Sequence, residues 1–276
     1  MSDEFAKELE KLDDLQKRLE SLESSRSHRI FAAMVSAALS SVPWLGGVLA
    51  AGHGYFANEH QHKTDTLQRQ WLEEHQRKLR ALAVDLADVV TRLSSLGQDI
   101  QDRIESEEYL ALVRKAFRTW DSAETAEKRE YVKRLICNAA GSKLCPDDLI
   151  RLFLDWLDRY HEAHFLVIRE IYKSKAITKY EIWLHVNGEF PQENSSEADL
   201  FRLLIMDLSF GHVIRQHREV TSEGQFLPKR RSRARSSGVM KSAFDDEEMY
   251  ELTELGRQFV HYVFTDIVTR LSPESS

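Results

Sequence analysis

Apolar residues in the first segment, Met1 to Arg26, fall at Phe5, Leu9, Leu12, Leu15, Leu19 and Leu22. Steps of three and four put them on one face of a helix, with eight acids and five bases at the other positions. Such a helix either packs on its own chain or joins an oligomerising coiled coil. From Ile30 to Asn58 the pattern changes, and twenty-nine residues pass without a charge. The length exceeds the ~20 residues that a membrane-spanning helix needs. Ala, Ser and Gly dominate the stretch, which lowers the gain from transfer into lipid. Pro43, Trp44, Gly46 and Gly47 fall in its middle, where a continuous helix would break. Two helices of about a dozen residues, with Leu39 in one arm and Val48 in the other, joined by Ser41 to Gly47, explain the pattern. The hairpin is either core or membrane-inserted, and both readings stay open.

Beyond it, Leu72, Leu79, Leu86, Leu93 and Ile100 are spaced by seven, with Leu82, Val89 and Leu96 interleaved. This predicts one long helix over about 65–103, either a core helix of a bundle or an oligomer seam. Pairing it with the first segment is economical, since the hairpin between them returns the chain antiparallel. Three shorter helices are expected between Glu107 and Tyr160. Leu110, Val113, Phe117 and Trp120 mark the first, and Asp121 with Glu124 resembles a capping box for the second, which stops near Gly141. Pro146, Asp147 and Asp148 open the third, whose Leu149, Leu152, Phe153, Trp156 and Leu157 form a broad apolar face.

The last hundred residues change character. Helices are expected over 164–174, 178–186 and 196–208, the last with Leu200, Leu203, Leu204 and Leu208 as its apolar face. A strand over 212–220 comes next, then a polar basic loop, then a strand that turns into a closing helix over 250–259. The fold class is therefore mostly α: a helical bundle or coiled-coil region over 1–160, then an α+β domain over 161–270.

The ending YELTELGRQFVHYV, Tyr250 to Val263, resembles the segment that closes many bacterial winged-helix domains, where a strand enters a Thr-Xaa-Xaa-Gly turn. The resemblance covers about Glu162 to Thr265 and implies a winged helix, a fold that binds proteins as well as nucleic acid. The helical part resembles bacterial proteins with an Ala/Gly-rich apolar hairpin followed by Glu-Lys-Arg-Xaa-Tyr, here Glu127 to Tyr131. Some of those look like stress or phage-defence components.

Composition narrows the chemistry. With 276 residues, 42% of them hydrophobic, the chain can bury a core, and 11 Gly and 5 Pro argue against a turn-rich all-β protein. Cys137 and Cys145 build no disulfide framework and no secretory signal opens the chain, so a cytoplasmic place is expected, at the inner membrane if the hairpin inserts. No phosphate loop, nucleophile elbow or kinase-like set is present, so no enzyme, cofactor or small-molecule substrate is expected. His60, His62 and His75, and the pair His161 and His164, lack the further ligands that a metal requires. The net charge of −7 argues against nonspecific binding of nucleic acid by the whole chain. One local run opposes that balance. Lys229, Arg230, Arg231, Arg233 and Arg235 lie between the two expected strands, and residues 212–241 carry eight bases against two acids. Such a wing suits phosphates, whether of nucleic acid or of lipid headgroups. Yet the third helix, the usual groove reader, carries Glu197, Asp199 and Asp207 against Arg202 alone. Two function classes remain. One is a non-catalytic protein acting by association with protein partners, itself or a membrane. The other is a DNA-binding regulator dimerising through its long helices.

Overall fold

The computed structural model describes residues 25–45, 66–96, 100–142, 145–174, 176–218, 221, 223, 225–227, 242–244 and 246–264; for Ser25, Arg26, 66–74 and 76 it describes the backbone alone. The fold is mostly α-helical with a small three-stranded antiparallel sheet. The chain divides into two units, Met1–Asp158 with Tyr262–Ser276, and Arg159–His261.

The first unit contains α1 (Ser25–Ser41), α2 (Thr66–Ser95), α3 (Gln101–Glu105), α4 (Glu107–Ser122), α5 (Ala126–Gly141) and α6 (Asp147–Arg159). Ile30, Met34, Ala37 and Ala38 recur at helical spacing on α1 and are buried where it packs on α2 and α4. The two alanines remove bulk at that contact. Helix α1 ends at Ser41 because Val42 precedes Pro43 and is pushed out of the helical region. Leu39, expected on the hairpin's apolar face, is instead 46% exposed, because its position turns away from the Ile30, Met34 and Ala38 stripe. The second arm of the hairpin, with Gly46, Gly47 and Val48, lies outside the described residues, as does the first segment up to Ser24.

The long helix is shorter than its heptads suggest. It stops at Ser95, just before Gly97, and the five-residue α3 forms separately. Ile100 is the residue before α3 and not the last member of a continuous seam. Leu82, Leu86, Val89, Val90 and Leu93 are buried, and α2 packs on α1 and α5. Ser106 caps α4 by accepting from the Tyr109 N–H, and Thr125 caps α5 by accepting from that of Lys128. The cap of α5 is thus Thr125, while Asp121, expected from the sequence as the capping residue, still lies inside α4. Tyr109, buried outright, donates its hydroxyl to the Ile136 carbonyl at 2.9 Å, and Asn138 donates to the Tyr262 carbonyl at 2.8 Å. Buried polar groups on these apolar helices are thereby satisfied.

The second unit runs α7 (Glu162–Lys173), β1 (Ile177–Thr178), α8 (Lys179–Asn187), α9 (Ser196–Phe210), β2 (Ile214–Gln216) and β3 (Met249–Leu252), and then the first turns of α10 (Glu254–Phe264). The sheet order is β1-β3-β2. Ile177 pairs with Tyr250, and Ile214 with Leu252, and all four side chains are buried. The two-residue β1 is not anticipated by the sequence pattern. Within the strand expected over 212–220, Ile214–Gln216 pair with β3, while Glu219 and Val220 lie outside the described residues. Two glycines mark close approaches. A Cβ at Gly256 would sit 2.1 Å from the Val213 carbonyl oxygen, and one at Gly211 would sit 1.9 Å from the Tyr160 hydroxyl. The Thr253 side chain accepts from the Gly256 N–H at 2.9 Å and donates to the His212 carbonyl at 2.6 Å, locking the turn from β3 into α10.

Candidate docking surface

Of the residues singled out from sequence, the basic run Lys229, Arg230, Arg231, Arg233 and Arg235 lies outside the described residues, together with His60 and His62. Pro43 is exposed. Trp44 is half-buried, donates its indole N–H to Asp121 at 2.7 Å and meets His75 edge-on. On the seam, Leu86 and Leu93 are buried within α2, Leu79 is half-buried, and Ile100 is buried beside α3. Leu72 lies in α2 where the backbone alone is described. Burial makes Leu86, Leu93 and Ile100 part of the core.

Among the described residues of the first unit, a network of half-buried charges ties α2 to α5. Lys133, which is 12% exposed, bridges Asp85 at 2.8 Å, Asp88 at 2.9 Å and Glu130 at 2.8 Å. Arg92 adds contacts to Asp88 and Glu130, Arg134 a further one to Glu130, and the Trp120 indole donates to Asp85. Burial alone would raise the Glu130 carboxyl, but hydrogen bonds from Lys133, Arg92 and Arg134 hold it down at about 2. Cys137, one turn beyond Lys133, is fully buried and its thiol is pushed up to about 12 by that burial. A thiol held protonated is no nucleophile.

In the second unit, His161 precedes α7 and its backbone N–H donates to Nδ1 of His164 at 3.2 Å. In the neutral ring the proton therefore sits on Nε2, which lies 3.6 Å from Asp207. Burial lowers the pKa of His164, opposed by Asp207. Tyr160 stacks on the ring, and among the described residues no group of three or more His, Cys, Asp or Glu could hold a metal ion. Glu251, buried on the central strand of the sheet, accepts from Arg215 and contacts His217 Nδ1, each at 2.7 Å. Burial would raise its carboxyl, and these two partners hold it below the usual range. Arg215 also stacks on Phe226 at 4.9 Å, so this arginine at the root of the loop is held between the Glu251 carboxylate and an aromatic face.

Among the described residues, α9 carries more exposed large apolar side chains than any other helix. Ser195 caps the helix by accepting from the Ala198 N–H, and Ala198, Phe201, Leu204, Ile205 and Leu208 are buried in the unit's core. The opposite face carries Leu200 at 51%, Leu203 at 51%, Met206 at 52% and Phe210 at 74% exposure. Leu200 and Leu203, expected as core, thus face outward, joined by Met206 and Phe210, which the sequence pattern does not single out. The helix is apolar nearly all round, so periodicity alone cannot choose which stripe turns inward. Phe201 decides it, stacking on Phe244 and meeting Trp183 edge-on. At the helix start, Arg202 is clamped by Glu193 at 2.7 Å and Asp199 at 2.8 Å. Glu193 also accepts from Ser242 and from the Ala243 N–H, which pins the returning end of the loop. Four large apolar side chains on one exposed helical stripe form a surface suited to helix docking.

Comparison of the chain with protein-family models, with curated proteins and with solved structures gives no match. The functional reading therefore rests on this geometry.

Proposed function

We propose that the chain is a non-catalytic association protein whose unit Arg159–His261 is a winged helix that docks a protein partner on the outer face of α9. The order α7-β1-α8-α9-β2-β3 with sheet order β1-β3-β2 supports the winged-helix reading and agrees with the resemblance of the Tyr250 to Val263 segment. In such domains the helix in the place of α9 is the one that enters a DNA groove. Here its solvent face offers Leu200, Leu203, Met206 and Phe210, flanked by Glu197, Asp199 and Asp207. Carboxylates beside phosphates repel, and large apolar side chains find no partner on a phosphate backbone. This single face carries the reading and weighs against the DNA-binding regulator.

The membrane-acting version of an association protein, in the stress or phage-defence setting, draws less support. Ile30, Met34, Ala37, Ala38, Val42 and Leu45 are buried protein core, which favours the core reading for this half of the uncharged stretch. No helix among the described residues is long and apolar enough to cross a membrane. The test is site-specific photo-crosslinking from position 203 of the full chain in cells. A discrete protein adduct that disappears on Phe210→Glu supports docking. Adducts to nucleic acid, or no adduct beyond that formed from the exposed position 247, would refute it.

A further inference from the structure

The charge around the α9 face narrows the class of partner, an inference that rests on the docking reading. Residues 193–210 carry Glu193, Glu197, Asp199 and Asp207 against Arg202 alone. That arginine is spent within the cluster, held by Glu193 and Asp199. His164 adds no cation beside Asp207, because burial favours its neutral form. Glu197 is kept ionised by its own backbone N–H and by the Ser195 and Ser196 hydroxyls. The stripe of Leu200, Leu203, Met206 and Phe210 therefore runs between carboxylates and presents no uncompensated positive group of its own helix.

A second copy of the same face is a poor match. Position 203 lies midway between 199 and 207, so antiparallel pairing of two α9 helices about Leu203 sets Asp199 against Asp207 of the other copy. Parallel pairing sets each aspartate against its own equivalent. Either symmetric arrangement places like charges across a low-dielectric seam, which is destabilising. Nucleic acid and anionic lipid fail for the same electrostatic reason. An occupant complementary to this face has apolar side chains at helical spacing, to lie on the Leu200 to Phe210 stripe, and Lys or Arg on its flanks, to face Glu197, Asp199 and Asp207. Met206, unbranched and adaptable, lets the stripe accept more than one apolar shape.

We infer that the α9 face is the receptor for a cationic amphipathic helix of a partner protein. The partner's apolar anchors supply affinity, and the charges select orientation and speed encounter. Raised salt weakens the complex without abolishing it, because screening removes the charge contribution and leaves the apolar contact.

The experiment titrates the full chain with two synthetic amphipathic helical peptides of identical apolar spacing, one built of Leu and Lys and the other of Leu and Glu, at low and physiological salt. Expected is binding of the Leu/Lys peptide at least about tenfold tighter than the Leu/Glu peptide at low salt. Leu203→Glu removes the apolar anchor and should cost at least about tenfold. Glu197→Lys with Asp199→Lys should reverse the preference between the peptides while circular dichroism stays unchanged, since both carboxylates stand at the solvent-facing helix start. Equal binding of both peptides, lost in Leu203→Glu, would overturn the charge selection and leave docking at this face intact. Preference for the Leu/Lys peptide that survives the double reversal would place the binding elsewhere on an acidic chain and overturn the inference. Self-association of the wild type that Leu203→Glu removes would make the face an interface between copies, with the same result. Failure of both peptides, together with an empty crosslink from position 203, would remove the docking reading itself.

Discussion

Replacing Lys133 by Met keeps the side chain's length and removes its charge. The ammonium sits within 2.9 Å of Asp85, Asp88 and Glu130. Losing one member of a fully buried ion pair costs about 3–5 kcal/mol, and an exposed pair is worth about 0–1 kcal/mol. The three carboxylates are 16–32% exposed, and Arg92 still pairs with two of them, Asp88 and Glu130. The expected loss therefore falls between the limits, at about 2 kcal/mol, with Asp85 the group left worst off. At ~2–4 °C per kcal/mol for a chain of this size, the thermal midpoint drops by about 4–8 °C. The acid limb gives an independent check. The Glu130 carboxyl lies at about 2 in the folded chain against an ordinary value of 4.5. That difference corresponds to about 3 kcal/mol at most, and to about 1–2 kcal/mol once solvent screening of this half-buried group is allowed for, shared among its three cations. A depressed carboxyl stabilises fully above its unfolded value, and that stability drains away as pH falls from about 4.5 toward 2. In Lys133→Met the carboxyl moves back up, so stability falls less steeply across that window. Thermal unfolding followed by circular dichroism from about pH 2 to 7, with hydrogen exchange of α5 as the local reading, measures both effects. A variant within about 0.5 kcal/mol of wild type at neutral pH, with the same acid slope, would show that Lys133 does not hold this network together.

Gly256→Ala forces a methyl toward the Val213 carbonyl oxygen, which already accepts from the Thr253 N–H at 3.0 Å. Since the obstacle is backbone, a loss of at least about 2 kcal/mol is expected in urea unfolding; a neutral change would refute the packing of this turn. Thr178→Ala removes the capping box of α8, in which Thr178 accepts from the Glu181 N–H at 3.2 Å, and should cost about 1 kcal/mol, read by faster amide exchange at the start of α8. Cys137, buried with its thiol at about 12, and Cys145, also buried and raised, should resist a thiol-reactive dye at mildly alkaline pH in the native chain and react after denaturation. Rapid native labelling of Cys137 would contradict the packing of α5.

The helices between 107 and 160 are legible because their stop signals are local. Gly141 and Pro146 fall where α5 ends and α6 begins. Asp121 competes with Thr125 as the cap because each has an acid or a helix start at the right distance, and only the path of α4 through Ser122 decides between them. The heptads of α2 conceal its end: Leu96 and Ile100 keep the spacing, while α2 stops at Ser95 and Gly97 lies between it and α3. The strands are harder. Two residues of β1 carry no alternation to detect, and their place is set by pairing with Tyr250 and Met249, far along the chain.

The α9 face is illegible for a different reason, and that reason bears on function. Leu200, Phe201, Leu203, Leu204, Ile205, Met206, Leu208 and Phe210 leave hardly a polar gap, so two opposed stripes satisfy the same periodicity. Folding uses one of them. Phe201, Leu204, Ile205 and Leu208 fill the core, and the unit gains little stability from the other four, which stay about half or more exposed to water in the folded chain. Exposed large apolar side chains carry an aggregation risk, and a surface selected for stability or solubility alone would replace them by Lys or Glu. Their concentration on one stripe of one helix, while the cation at its edge is tied down by Glu193 and Asp199, is what a recognition surface requires. The stripe that periodicity cannot assign is thus the one left exposed, and it is the one on which the proposed association rests.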